Sequence, residues 1–170
     1  MNREQKIVAV GAVAGATSML LALIALAHWM AGLSIIADAG ERLAFAAKWD
    51  AFAAAPLFFA LMAVGNARFK SEAIDPTAGR ETRSMIVDGR VADNHLQQYV
   101  LFVAASMAVA ASARGDQLGL VAGAAIIFVV SRFAFWIGYR IDPLYRAFGF
   151  ASTAYLNVIL FSTAIWMCWR

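Results

Sequence analysis

Long apolar runs separated by short polar stretches dominate the chain. Residues 7–33 form the first run, 27 residues long. At about 1.5 Å per helical residue this exceeds the roughly 30 Å hydrocarbon core of a bilayer. The run is also longer than the roughly 7–15 apolar residues of a cleavable signal peptide, so it is read as a retained span. A second run, 51–65, is short by itself. Helical turns carrying Lys48 and Trp49, residues suited to the membrane interface, extend it to 43–68. Residues 69–93 are polar, hold Pro76 and two glycines, and read as a loop. Three further helices follow at 94–113, 118–139 and 144–169, the last two separated by Ile141-Asp142-Pro143. The pattern predicts an all-α integral membrane protein of five spans. It divides into an N-terminal helix with its short loop (1–42) and a bundle (43–170) carrying the polar loop 69–93. Gly11 and Gly15 would let the first helix pack closely on a neighbour.

Composition agrees. Hydrophobic residues make up 62% of the chain and charged residues 15%, against about 45–50% and about 25% in soluble domains. The net charge of +3 does not indicate nucleic acid, because the basic residues lie between the apolar runs. Five spans put Arg3, Lys6, Arg68, Lys70, Arg80, Arg83, Arg90, Arg140 and Arg146 on one side, and Arg42, Lys48, Arg114 and Arg170 on the other. By the positive-inside rule the N-terminus is expected in the cytoplasm and the C-terminus in the periplasm, as in a bacterial inner membrane.

Several kinds of chemistry are excluded. The single cysteine, Cys168, permits neither an intrachain disulfide nor a cysteine metal site. The two histidines, His28 and His95, fall at opposite ends of the spans, and no metal is expected. Phosphate-loop and dinucleotide fingerprints are absent, as is a Ser-His-Asp grouping at one depth.

Arg132 is the most informative residue. It lies about 10 Å inside the end of the fourth helix, where a charge is costly and faces the bundle interior. No Asp or Glu lies at that depth on that side. Its partner is therefore an amide oxygen, a backbone carbonyl, a neighbouring subunit or an anionic ligand. Tyr139 is on the same helix face. Arg146 opens the fifth helix and reads either as an interfacial anchor or as a donor toward Arg132 and Tyr139. Asn94, Gln97 and Gln98 share one face at spacings of three and four, as glue between helices or as a polar-ligand site.

The segments Asn94-His95-Leu96-Gln97-Gln98-Tyr99, Arg132…Gly138-Tyr139-Arg140 and Arg146-Ala147-Phe148-Gly149-Phe150 resemble the MAPEG superfamily of membrane-associated proteins in eicosanoid and glutathione metabolism. The likeness extends over about 51–169 and is nearest to a bacterial branch with an added N-terminal span. It implies a four-helix membrane bundle assembled as a homotrimer, with glutathione bound between subunits and a lipophilic second substrate. Arg90, Asn94, Gln97, Arg132 and Tyr139 match glutathione-binding positions, and Arg146 matches the arginine that activates the thiol. The chain departs from the pattern at Gln97 (Glu expected), Asp93 (basic expected), Phe135 (His in some members) and Ala147 (Ser expected). Two functions remain open. One is a glutathione transferase or peroxidase acting on lipophilic electrophiles or lipid hydroperoxides. The other is a non-catalytic module that binds membrane lipids or a lipophilic small molecule, or serves a larger membrane complex.

Overall fold

The computed structural model describes residues 1–31, 36–113 and 117–170. Among them are α1 (Arg3–Ala31), α2 (Ala39–Ala53), α3 (Ala55–Phe69), α4 (Arg83–Ser112), α5 (Gly119–Ile141) and α6 (Ala147–Cys168), with a 3-10 turn at Glu72–Ile74 and no strand. The expected end of the first helix at Leu33 and the basic residue Arg114 lie outside the described residues.

Local chemistry sets the boundaries. Asn2 and Gln5 bond each other's backbone N–H at the start of α1, at 2.8 and 2.9 Å. The Asp38 carboxylate accepts the Glu41 N–H to open α2. Pro56 lacks an N–H and interrupts the helix at Ala54, yet α2 and α3 run on as one 31-residue apolar span, Ala39–Phe69. Pro143 holds Asp142 extended, and the Asp142 carboxylate accepts the Leu144 N–H at 2.8 Å, ending α5 in a tight turn. At the far end, Arg42 donates to the Ala110 and Ala111 carbonyls at 3.1 and 3.3 Å and so caps the end of α4.

Among the described residues, four helical stretches are long and apolar enough to cross a membrane: Arg3–Ala31, Ala39–Phe69, Gly119–Ile141 and Ala147–Cys168. The remaining long helix, α4, has 30 residues and is more polar, with Asp88, His95, Gln98 and Ser106 on its inward face and Arg83, Arg90, Asp93 and Gln97 exposed. The helices alternate in direction. The first half of α1 lies on the start of α6, where Gly11 meets Ala147, and its last turns meet the start of α5 at Gly119. The N-terminus, the 70–82 connection and the 142–146 turn therefore share one end of the bundle, called here the loop end.

Two expectations change. The polar loop was read as 69–93, but α4 begins at Arg83, capped by the Thr82 hydroxyl accepting the Met85 N–H. Its buried positions, Met85, Asp88, Val91, Ala92 and His95, recur at helical spacing. The charges between them face outward and hide that period from a count of apolar residues. The shortened loop is stapled by an Arg68–Glu81 ion pair at 2.5 Å. Asp50 is buried on the second helix, which was read as 43–68 and begins at Ala39. It accepts the Ser106 hydroxyl at 2.6 Å.

The α1–α6 seam depends on small residues, as the Gly11/Gly15 spacing suggested. A Cβ at Gly15 would overlap the Phe148 carbonyl, and the Ser152 hydroxyl donates to the Gly15 carbonyl at 3.0 Å. Gly149 likewise lets α6 approach the α5 backbone at Ser131 and Phe135. Gly15→Leu is expected to cost about 1–3 kcal/mol through overpacking and to lower the unfolding midpoint in detergent. Gly65→Leu, with nothing within 4 Å of the added Cβ, should leave it unchanged.

Candidate functional site

Arg132 is fully buried where α4, α5 and α6 converge. Its Nη2 donates to Asn94 Oδ1 of α4 at 2.8 Å, and its Nη1 donates to Thr153 Oγ1 of α6 at 3.0 Å. The Thr153 hydroxyl spends its own proton on backbone carbonyls of the preceding turn, which leaves its lone pairs for the guanidinium. The Phe135 ring, one turn along α5, stacks with the guanidinium, its centroid 4.3 Å from Cζ. His95 Nε2 donates to the Arg132 carbonyl at 3.3 Å, tying α4 to α5 once more. The partner is thus an amide oxygen, one of the alternatives left by the absence of an acid at this depth. Neither Asn94 nor Thr153 neutralises the charge, and Arg132 Nε has no partner.

About two turns before Asn94 and His95 on α4, toward the loop end, Asp88 is buried and saturated. It accepts Trp136 Nε1 and Arg140 Nε on Oδ1, both at 2.8 Å, and Arg140 Nη2 on Oδ2 at 2.5 Å. This carboxylate is spent on clamping α4 to α5.

Beside the Arg132 layer a cleft of about 210 Å3 opens, lined by Arg90, Asn94, Phe135, Tyr139, Arg146 and Phe150. Four of the six residues proposed from sequence meet here. Arg90 projects from α4, Tyr139 from the last turns of α5, and Arg146 from the residue preceding α6. The Arg146 guanidinium stacks on the Tyr139 ring with Cζ 4.9 Å from the centroid, which fixes its position at the mouth. Asn94 serves both layers, holding Arg132 behind the wall and lining the cleft itself. The lining contains two guanidinium groups, an amide, a phenol and two phenyl rings, and no carboxylate. Guanidinium and amide groups between aromatic sides suit an anion with peptide-like polar groups.

The other two expected residues are placed differently. Arg132 lies behind the cleft rather than in it. Gln97 is exposed on the outer face of α4, among Leu96, Val100 and Leu101, and does not reach the cleft within one chain. The amide trio of the sequence therefore divides. Gln98 turns inward, where its Oε1 accepts Asn157 Nδ2 at 2.9 Å. The sequence reading missed Thr153, Phe150 and the Asp88–Trp136–Arg140 clamp. Asp88, His95 and Phe102 are spaced seven apart and so share one helix face, a signal lost when 69–93 was taken for loop.

A family model described as MAPEG family matches residues 45–166, which covers most of α2, all of α3 to α5 and α6 up to its last two residues, and leaves α1 outside. No curated protein and no solved structure matches the chain.

Asn94→Leu leaves the buried guanidinium short of a charge-assisted hydrogen bond and is expected to cost about 1.5–3 kcal/mol. Arg132→Met removes the charge together with its desolvation cost, and should destabilise less. Chemical unfolding of both variants in detergent measures the order, and the reverse order would contradict this account of the layer.

Proposed function

The chain belongs to the MAPEG family, membrane-associated proteins of eicosanoid and glutathione metabolism, and from that premise we propose that it is a glutathione-dependent transferase acting on lipophilic electrophiles. The observation that carries this reading is the carboxylate-free cleft with Arg90 and Arg146 on its lining and Asn94 at its back. Glutathione presents two carboxylates, peptide groups and a thiol. Guanidinium forks suit the carboxylates, and an amide side chain suits a peptide bond. Arg146 stands at the position the family uses for thiol activation. A cation beside a thiol favours the thiolate and lowers its pKa. The thiol proton leaves to solvent. The sulfur pair then forms a C–S bond to the electrophilic carbon. For an unsaturated carbonyl the displaced π pair moves onto the oxygen, and the resulting enolate takes a proton from water. Tyr139 positions Arg146 through its ring.

Assembly as a homotrimer belongs to this reading. Gln97, exposed among apolar side chains in the membrane-crossing part of α4, supports it, since an amide facing acyl chains is costly and a second copy would cover it. The loop end, with its nine basic residues, is proposed to face the cytoplasm of a bacterial inner membrane. A second reading, lipid binding without thiol chemistry, is favoured by the Phe135 ring, which lines the cleft while Arg132 does not.

Glutathione at a hundredfold excess over its dissociation constant should stabilise the detergent-solubilised protein by about 2.7 kcal/mol, and the protein should conjugate a model enal. Arg146→Ala should lower the conjugation rate at pH 7 by about 8- to 25-fold, as one to two pKa units of thiol activation are lost and the thiolate fraction falls accordingly. The sign follows from the thiol: the variant depends on unaided ionisation near pH 8.5, so its deficit shrinks as pH rises toward 9.5. A stabilising lipid with no glutathione effect and no conjugation would favour the second reading.

Cys168 is exposed at the end opposite the loop and is the sole cysteine. A membrane-impermeant maleimide should label it in cells with a permeable outer membrane and an intact inner one. Labelling only after lysis would reverse the proposed orientation.

A further inference from the structure

A second cavity, about 480 Å3, lies on the other side of Arg146 and Phe150, which line both it and the polar cleft. Its remaining lining is apolar and comes from three places. Val8 and Ala12 belong to α1, Pro143 and Leu144 to the turn before α6, and Ala147, Ala151, Ala154 and Tyr155 to α6. Val8 and Ala12 are one turn apart on α1, and Ala147, Ala151 and Ala154 recur at helical spacing on α6, so two facing walls of small side chains run along the helices. The slot is therefore long and narrow. Pro143 and Leu144 close it at the loop end, beside Arg146. From there it runs inward, toward the centre of the span. A membrane amphiphile would have this orientation, with its polar group at the interface beside a guanidinium and its chain directed inward. The volume lies within the roughly 300–1,000 Å3 usual for one small ligand.

We infer that this groove binds a lipid electrophile with a single unbranched hydrocarbon chain and a conjugated carbonyl head, a long-chain enal or enone, and that α1 supplies one wall of its binding site. The reaction rests on the transferase reading above; binding in the groove does not. The carbonyl oxygen accepts from Arg146, the only cation lining the groove. Phe150 separates the hydrocarbon from the polar cleft, and the β-carbon of the head lies on the side from which a thiolate in that cleft would attack. The attack forms one C–S bond, shifts the π pair to the carbonyl oxygen and ends with a proton taken from water. α1 lies outside the 45–166 match, so chain-length preference is assigned to residues the family model does not contain.

The test has two arms. In the first, a 16-carbon saturated methyl ketone with a mid-chain diazirine, inert to thiols, is photolysed with the full-length protein in lipid nanodiscs. Labels should map to the peptides holding Ala12 and Ala154, and Ala12→Phe and Ala154→Phe should each reduce labelling about fivefold. Val13→Phe, on the exposed face of α1, should not. In the second arm, conjugation is followed with 2-butenal and with 2-tetradecenal. Filling the groove should raise KM for the long enal about 5- to 10-fold, with little change for the short enal or for glutathione. Labels spread over the outer faces of α1, or labelling and KM unchanged in both filled variants, would overturn the groove. Labelling that behaves as expected with no conjugation of either enal would leave the groove standing and remove the transferase reading.

Discussion

The loop-end half of the bundle is organised around a guanidinium buried without a counter-charge. Placing Arg132 in the interior is costly unless its donors are met. Nη1 and Nη2 are met by one side chain from each flanking helix, Thr153 of α6 and Asn94 of α4, with the Phe135 ring against the guanidinium, while Nε has no partner among the described residues. That need sets the register of three helices at once. Gly149 has no side chain, so α6 comes near enough to α5 for Thr153 to reach Arg132. His95 holds the Arg132 carbonyl from α4, and the Asp88 clamp repeats the α4–α5 connection two turns further on. The cleft is the space left beside this layer, and Asn94 is its shared wall.

Much of the fold was legible in the chain. Five long helices, the turn at Asp142-Pro143 and the close approach of α1 through Gly11 and Gly15 follow from hydropathy, a proline and small-residue spacing. The start of α4 did not, because a window that counts apolar residues cannot see a helix whose outward face is charged. Arg132 was identifiable from depth alone, but its partner was left among an amide oxygen, a backbone carbonyl, a neighbouring subunit and an anionic ligand. Thr153 was not, since a hydroxyl on an apolar helix gives no sign of what it faces until the α5–α6 crossing is known. Gln97 and Gln98 show the same limit. Adjacent amides on one helix lie about 100° apart, and only the packing decides which one turns inward.

α1 changes how the site relates to the membrane. Its seam with α6 has two consequences. Where glycine faces the other helix, the backbones touch. Beside those contacts, where Val8 and Ala12 line it with alanines of α6, there is a slot. The same small residues that permit contact therefore also set the width of the cavity beside Arg146. A bundle lacking α1 would present those α6 alanines directly to lipid.

The departures from the family pattern can be weighed by where they point. Asp93 is exposed, so its charge is screened by solvent over about 10 Å or less at ordinary ionic strength. Gln97 is on the outer face, so the missing carboxylate there takes no negative charge out of the single-chain cleft. Arg132 is buried in a low-dielectric layer behind Asn94 and Phe135, where its field is weakly screened, and Arg90 and Arg146 add to it at the lining. The one buried carboxylate nearby, on Asp88, is occupied by Arg140 and Trp136. Replacing a glutamate by Gln97 therefore does not weaken the attraction of this cleft for anions. The charge of the cleft is set by Arg90 and Arg146 at its lining and by Arg132 behind it.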